Sequence, residues 1–159
     1  MSDATLQLTP SQSVVIRSRS SDALVVEGTW GPGESAPPKH FHPAQDERFE
    51  ITGGTLRARV DGREHTLTVG QTLQIPRGAV HQMWNEGSEP AHALWLTSPP
   101  GRTAQWFETL ARAGKPGPLD YGVYLTEYSD VFRLAGPQPL VLGALRVLGA
   151  AGRLVGKRA

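Results

Sequence analysis

Apolar and polar residues alternate in short runs from residue 13 to residue 98, with turn-forming residues every several positions. Val14-Val15-Ile16 and Leu24-Val25-Val26 are separated by the polar stretch 18–22, and Gly31-Pro32-Gly33 breaks the chain after them. Glu47–Thr52 and Thr55–Val60 flank Gly53-Gly54, and Arg63–Val69, Thr72–Ile75, Ala79–Asn85 and Ala91–Thr97 continue the series. A period of two reads as strand, because successive side chains of an extended chain point to opposite faces. Asp61-Gly62 between two such runs predicts a type I′ hairpin, since both residues accept positive φ. Many short, evenly spaced, antiparallel strands predict a sandwich or barrel.

Beyond Ser98-Pro99-Pro100-Gly101 the period lengthens. Thr103–Ala113 reads as a helix capped by Thr103, with Trp106, Phe107 and Leu110 on one side and Gly114 at its end. A second helix is expected over Asp120–Ala135, carrying Val123, Tyr124, Tyr128, Val131 and Phe132 and stopped by Gly136-Pro137. A third is expected over Pro139–Val155. The organisation is therefore an N-terminal arm (1–12), a barrel (13–98) and a C-terminal helical extension (99–159).

The chain of 159 residues contains no cysteine. That excludes disulfides, thiolate zinc sites, iron–sulfur clusters and cysteine nucleophiles, so any metal must be held by His, Asp or Glu. A net charge of +1 gives no basis for a nucleic-acid partner. The charge is unevenly spread: residues 1–132 carry 11 Lys/Arg and 15 Asp/Glu, whereas residues 133–159 carry 5 Lys/Arg and no acid. Met1–Pro10 lacks the apolar run of a secretory leader, and no stretch offers the roughly 20 apolar residues of a membrane span. A cytoplasmic location is the expectation.

Four side chains carry potential chemistry. His40-Phe41-His42 in an extended segment aims two imidazoles at one face. Glu47 leads an otherwise apolar row with Phe49 and Ile51, and His81 shares a face with Met83 and Asn85. Three imidazoles and a carboxylate converging in a barrel suit a borderline divalent ion: Fe, Mn, Ni, Cu or Zn. Burying them uncompensated would cost several kcal/mol, a penalty that a bound cation removes.

The stretch Gly33-x6-His40-x-His42-x4-Glu47-x6-Gly54 resembles the first motif of the cupin superfamily. Gly70-x5-Pro76-x-Gly78-x2-His81-x3-Asn85 is similar to the second, with a short spacer of 15 residues between Gly54 and Gly70. The resemblance covers residues 13–98. It implies a mainly β fold, a double-stranded β-helix or jelly-roll barrel, with His40, His42, Glu47 and His81 as ligands of one divalent transition metal. It also implies a homodimer and a small-molecule substrate. The activities it suggests are those of quercetinase-like dioxygenases or, with Zn or Ni, Lewis-acid isomerisation, cyclisation or hydrolysis. Glu47 would then serve as both ligand and proton acceptor. The rival reading is a non-catalytic binding or storage module, or a barrel merely stapled by its metal.

Other residues receive plainer readings. Among Phe49, Met83, Trp84 and Trp95, the first two are expected to line a substrate pocket because they share faces with ligands. Asn85 is expected to bind backbone in the next turn, His65 to be solvent-exposed, His92 to be a surface or lightly buried residue, and Arg57 and Arg59 to sit on a solvated outer face. The stretch 143–156 carries four glycines (Gly143, Gly149, Gly152 and Gly156), each costing about 1 kcal/mol of helicity relative to Ala, so a helix there needs a packing partner. Docking on the barrel or on another subunit is favoured over association of the basic tail with an anionic membrane surface.

Overall fold

The computed structural model describes residues 4–159, so residues 1–3 of the N-terminal arm lie outside it. Two antiparallel sheets form the barrel. The six-stranded sheet has the order β1 (Thr5–Gln7), β2 (Gln12–Arg19), β3 (Leu24–Trp30), β10 (Ala91–Ser98), β5 (Asp46–Gly53), β8 (Thr72–Ile75). The five-stranded sheet runs β11 (Arg133–Leu134), β4 (His40–Phe41), β9 (His81–Trp84), β6 (Thr55–Val60), β7 (Arg63–Thr68). The expected mainly β jelly-roll is therefore observed. Its arm contributes an edge strand, and its C-terminal extension contributes another.

The turn chemistry follows the sequence. Asp61 and Gly62 have φ of 46° and 82°, and Val60 lies opposite Arg63, as a type I′ hairpin requires. At Gly54, with φ of 69°, a Cβ would lie 2.5 Å from the Pro90 carbonyl, so only glycine fits where β5 turns into β6.

Two cores meet at one residue. The barrel core holds Trp30, Phe49, Ile51, Leu56 and Met83, while Val14, Leu24 and Val26 pack with Trp106, Phe107, Val123 and Val131 of the helical extension. Trp95 on β10 touches both clusters.

Helix α1 (Thr103–Ala113) has the expected limits, but Thr103 is its first helical residue rather than its cap, and its buried hydroxyl has no hydrogen-bond partner. Helix α2 (Pro118–Glu127) begins earlier and ends far sooner than the expected Asp120–Ala135. Past that end the Arg102 guanidinium bonds Asp130 at 2.6 Å and Glu127 at 3.2 Å and lies 4.9 Å from the centre of the Tyr128 ring. Residues 133–134 then pair with β4, an exchange of helical for sheet hydrogen bonds that local periodicity does not reveal.

Helix α3 (Gln138–Leu154) docks on α2 through its glycines. A Cβ on Gly122 would fall 2.6 Å from Leu148 Cβ and 2.8 Å from the Leu148 carbonyl carbon. One on Gly152 would meet the Leu119 carbonyl oxygen at 2.8 Å. Gly149 and Gly152, which weaken the isolated helix, are also what let the two backbones approach.

This contact makes opposite effects at two helical glycines testable. Gly122→Ala forces α2 and α3 apart and should destabilise the protein by about 1–3 kcal/mol. Gly143→Ala adds a Cβ in open space and should stabilise it by up to about 1 kcal/mol. Denaturant titration of both variants checks the pair of signs.

Candidate metal centre

The two-residue strand β4 lies between β9 and β11, and its His40 sits directly opposite His81 across the β4–β9 pair. His42 follows two residues on, ahead of Pro43. Its carbonyl accepts a hydrogen bond from the Gly78 N–H at 2.8 Å, tying it to the Pro76–Gly78 turn that delivers His81. Glu47 comes from β5 in the other sheet, so the cluster bridges both layers.

One ring nitrogen from each of His40, His42 and His81 lies within 4.8 Å of the other two. Glu47 joins from the side, with Oε1 at 3.3 Å from His42 Nε2 and Oε2 at 3.2 Å from His81 Nε2. All four predicted side chains thus converge.

The other nitrogen of each imidazole is engaged by backbone. Nδ1 of His40 lies 3.1 Å from the Pro38 carbonyl, Nδ1 of His42 lies 2.6 Å from that of Val131, and Nδ1 of His81 lies 3.0 Å from that of Ala79. A carbonyl only accepts, so each Nδ1 carries the proton and donates it. The lone pair is left on Nε2. Such outer contacts fix the ring orientation and tautomer that a metal ligand needs. Glu47 is fixed similarly: Trp95 Nε1 donates to its Oε1 at 2.8 Å.

The electrostatics agree with this arrangement. Burial, reinforced by the neighbouring His81 and His42 rings, lowers His40 to about 3. Phe132 covers one face of that ring, stacked at 4.5 Å and 17°. Burial alone would raise Glu47, but the surrounding imidazoles, His42 foremost, outweigh it and bring the carboxyl to about 2. Burial would lower His81, yet Glu47 beside it wins and the imidazole is raised above its ordinary value.

The residues present fit a divalent ion. His42 Nε2 and Glu47 Oε2 are buried without a hydrogen-bond partner among the described residues, although His42 Nε2 lies 3.3 Å from Glu47 Oε1 and Glu47 Oε2 lies 3.2 Å from His81 Nε2. Orphaned buried acceptors are costly, and a cation shared among them satisfies both at once.

Above the cluster opens a cavity of about 570 Å³. Phe49 and Met83 line it, as the sequence suggested. Trp95 lines it too, stacked on Phe49 at 5.2 Å, whereas Trp84 lies outside it, 5.8 Å from the Arg59 guanidinium. Helices α1, α2 and α3 supply the opposite wall with Trp106, Tyr121, Leu125 and Leu145. Among the described residues lining it, Glu47 is the one acid and no Lys or Arg appears.

Three contributors escape the sequence reading. Val131, Phe132 and Trp95 act through a carbonyl, a ring face and an indole N–H, and none belongs to a ligand-type pattern. Of the remaining expectations, Arg57 and Arg59 do lie outward, paired with Glu64. His92 is half-buried against the Thr29 hydroxyl at 3.1 Å, and His65 is also half-buried rather than fully exposed.

Comparison with known proteins agrees with the fold. Residues 26–97 match the family described as "Cupin domain". It is 37% identical over 68 residues to the tetracenomycin polyketide synthase protein TcmJ of Streptomyces glaucescens, covering 43% of this chain and 45% of that protein. It is 43% identical over 53 residues to the oxidoreductase iacF of Pestalotiopsis fici, covering 33% of this chain and 26% of that protein. The chain thus matches less than half the length of these curated relatives. An RmlC-like cupin from Shewanella frigidimarina shares the fold at a TM-score of 0.58 and 14% identity, over 65% of this chain and 89% of the other.

Asn85, the last motif residue, holds the frame. Its Nδ2 donates to the Trp30 and Glu89 carbonyls at 3.1 and 2.8 Å, and its Oδ1 accepts from the Gly87 N–H at 2.9 Å. Asn85→Ala removes three bonds at a site 1% exposed, and should destabilise by about 2–4 kcal/mol in a denaturant titration.

Proposed function

We propose that the chain is a divalent-metal enzyme acting on a small, neutral, largely apolar organic molecule that carries oxygen functions. The observation that carries this reading is the placement of three anchored imidazoles and a carboxylate at one end of an apolar, aromatic-walled cavity. The barrel, residues 13–98, is the catalytic unit, and residues 99–159 form its cover.

His40, His42, His81 and Glu47 would hold the ion. It supplies Lewis acidity toward a substrate oxygen or, when redox-active, a route to dioxygen. Glu47 is the proton acceptor when it is displaced from the ion: it stands to one side of the histidine cluster and lines the cavity. It takes a proton from the carbon beside a substrate carbonyl and returns it elsewhere on the same molecule. Isomerisation or cyclisation by this route requires no outside oxidant. The aromatic walls orient a flat ring system, and the scarcity of charged lining residues disfavours phosphates and carboxylates. Similarity to a polyketide synthase protein supports a polyketide-like substrate. Similarity to an oxidoreductase favours, as a second reading, oxygen-dependent cleavage at the same centre. Homodimerisation and a cytoplasmic location belong to the same proposal, and analytical ultracentrifugation tests the former.

Metal titration tests the centre directly. The metal-free protein should bind one divalent ion per chain by calorimetry, and His81→Ala should weaken that binding at least tenfold. Trp95→Phe removes the bond to Glu47 and should weaken it about ten- to hundredfold. Glu47→Gln, followed for both metal content and turnover, should retain metal at reduced affinity and lose turnover. Full activity in that variant excludes the proton-acceptor role, and a wild type that binds no divalent ion excludes the whole reading.

A further inference from the structure

Helix α3 has an inward side and an open side. Gly149 and Gly152 on the inward side face α2, and Leu145 and Leu148 on the same side reach the cavity wall. The open side consists of Leu140, Ala144, Val147, Ala151 and Leu154, which fall within an arc of about 80° at 3.6 residues per turn. Leu140, Val147 and Leu154 expose 72%, 71% and 88% of their surface. Val155, beyond the helix end, continues the patch at 65%. An apolar helix face is ordinarily covered, and this one is open.

Positive charge borders the open side. Arg146 and Arg153 lie together on one side of it, about 120–140° around the helix from its centre, and Lys157 and Arg158 follow the helix end. Arg153 lies 3.7 Å from Glu127 and Lys157 lies 3.1 Å from Asp120, whereas Arg146 and Arg158 meet no acidic side chain among the described residues. Residues 133–159 contain no acid at all.

We infer that this face of α3 docks on an anionic lipid surface. The apolar side chains enter the boundary between headgroups and acyl chains, and the arginines reach lipid phosphates by extending along their aliphatic stems. A second copy of the chain is the weaker fit for two reasons. It would bring the same arginines against one another with no carboxylate from this segment to answer them. A 17-residue helix is about 25 Å long, and one face of it offers a few hundred Å², below the roughly 800 Å² per partner of a stable interface. Docking would also place lipid against the helix whose inner side walls the apolar cavity.

Vesicle co-sedimentation tests the inference, using the full chain without metal or substrate, so the outcome is independent of the reading of the centre. The protein should bind vesicles of phosphatidylcholine with about one-third phosphatidylglycerol at least tenfold more tightly than pure phosphatidylcholine vesicles, and added salt should weaken the binding. Val147→Glu/Leu154→Glu should lose that binding at least tenfold. Arg146→Gln/Arg158→Gln, which alters only exposed cations, should lose the preference for anionic vesicles. Circular dichroism and melting curves of both variants should match the wild type. Failure of the wild type to sediment with anionic vesicles overturns the inference. So does a wild-type dimer that Val147→Glu/Leu154→Glu converts to monomer, since the face would then be a self-interface.

Discussion

The centre depends on three carbonyl oxygens. Pro38, Ala79 and Val131 each accept an Nδ1–H, and each thereby decides which nitrogen of a histidine stays bare. A free imidazole exchanges its proton between two sites, so three of them offer no common tautomer. Backbone acceptors remove that freedom without adding a charge. The three carbonyls come from the segment before β4, the turn before β9 and the link between α2 and β11. Barrel and helical extension therefore share the construction of one site.

Glu47 is the complementary constraint. A carboxylate 3% exposed is expensive unless its charge is answered, and here His42, His81 and the Trp95 indole answer it. Trp95 is placed to do so because it sits where the two cores meet, with Phe49 stacked on one side and Phe107 at 5.1 Å on the other. The same apolar surroundings that make the carboxylate costly strengthen every electrostatic contact it makes. A wet, exposed cluster of the same residues would be mobile and weakly coupled.

How much of this could be read from the chain follows from the range of each interaction. His40 and His42 share a face because of an i, i+2 relation, and Asp61-Gly62 dictates its hairpin locally, so both were legible. The convergence of His81 and Glu47 with that pair was legible through motif spacing alone, since no local pattern joins two sheets. Phe132 and Val131 sit at helical spacing with Val123, Tyr124 and Tyr128, and their periodicity is genuine. It extended the second helix too far because the chain leaves the helix after Glu127 and residues 133–134 pair with β4 instead. A tertiary strand pairing of that kind leaves no periodic trace. Thr103 misled for the opposite reason: its residue type suits a cap, but the helix begins at it rather than after it.

The glycines of α2 and α3 connect this construction to the shape of the cavity. Gly122 and Gly149 let the two backbones approach closely, with a Cβ on Gly149 only 2.9 Å from the Gly122 carbonyl. At that separation Leu145 and Leu148 of α3 reach past α2 to the cavity wall, beside Tyr121 and Leu125 of α2 itself. Larger residues at the contact would move α3 outward and open the cavity wall to water. Helix propensity is thus given up at a helix–helix contact that closes the wall of a cavity in the barrel. The same close docking uses one side of α3 and leaves its far side, with Leu140, Val147 and Leu154, exposed.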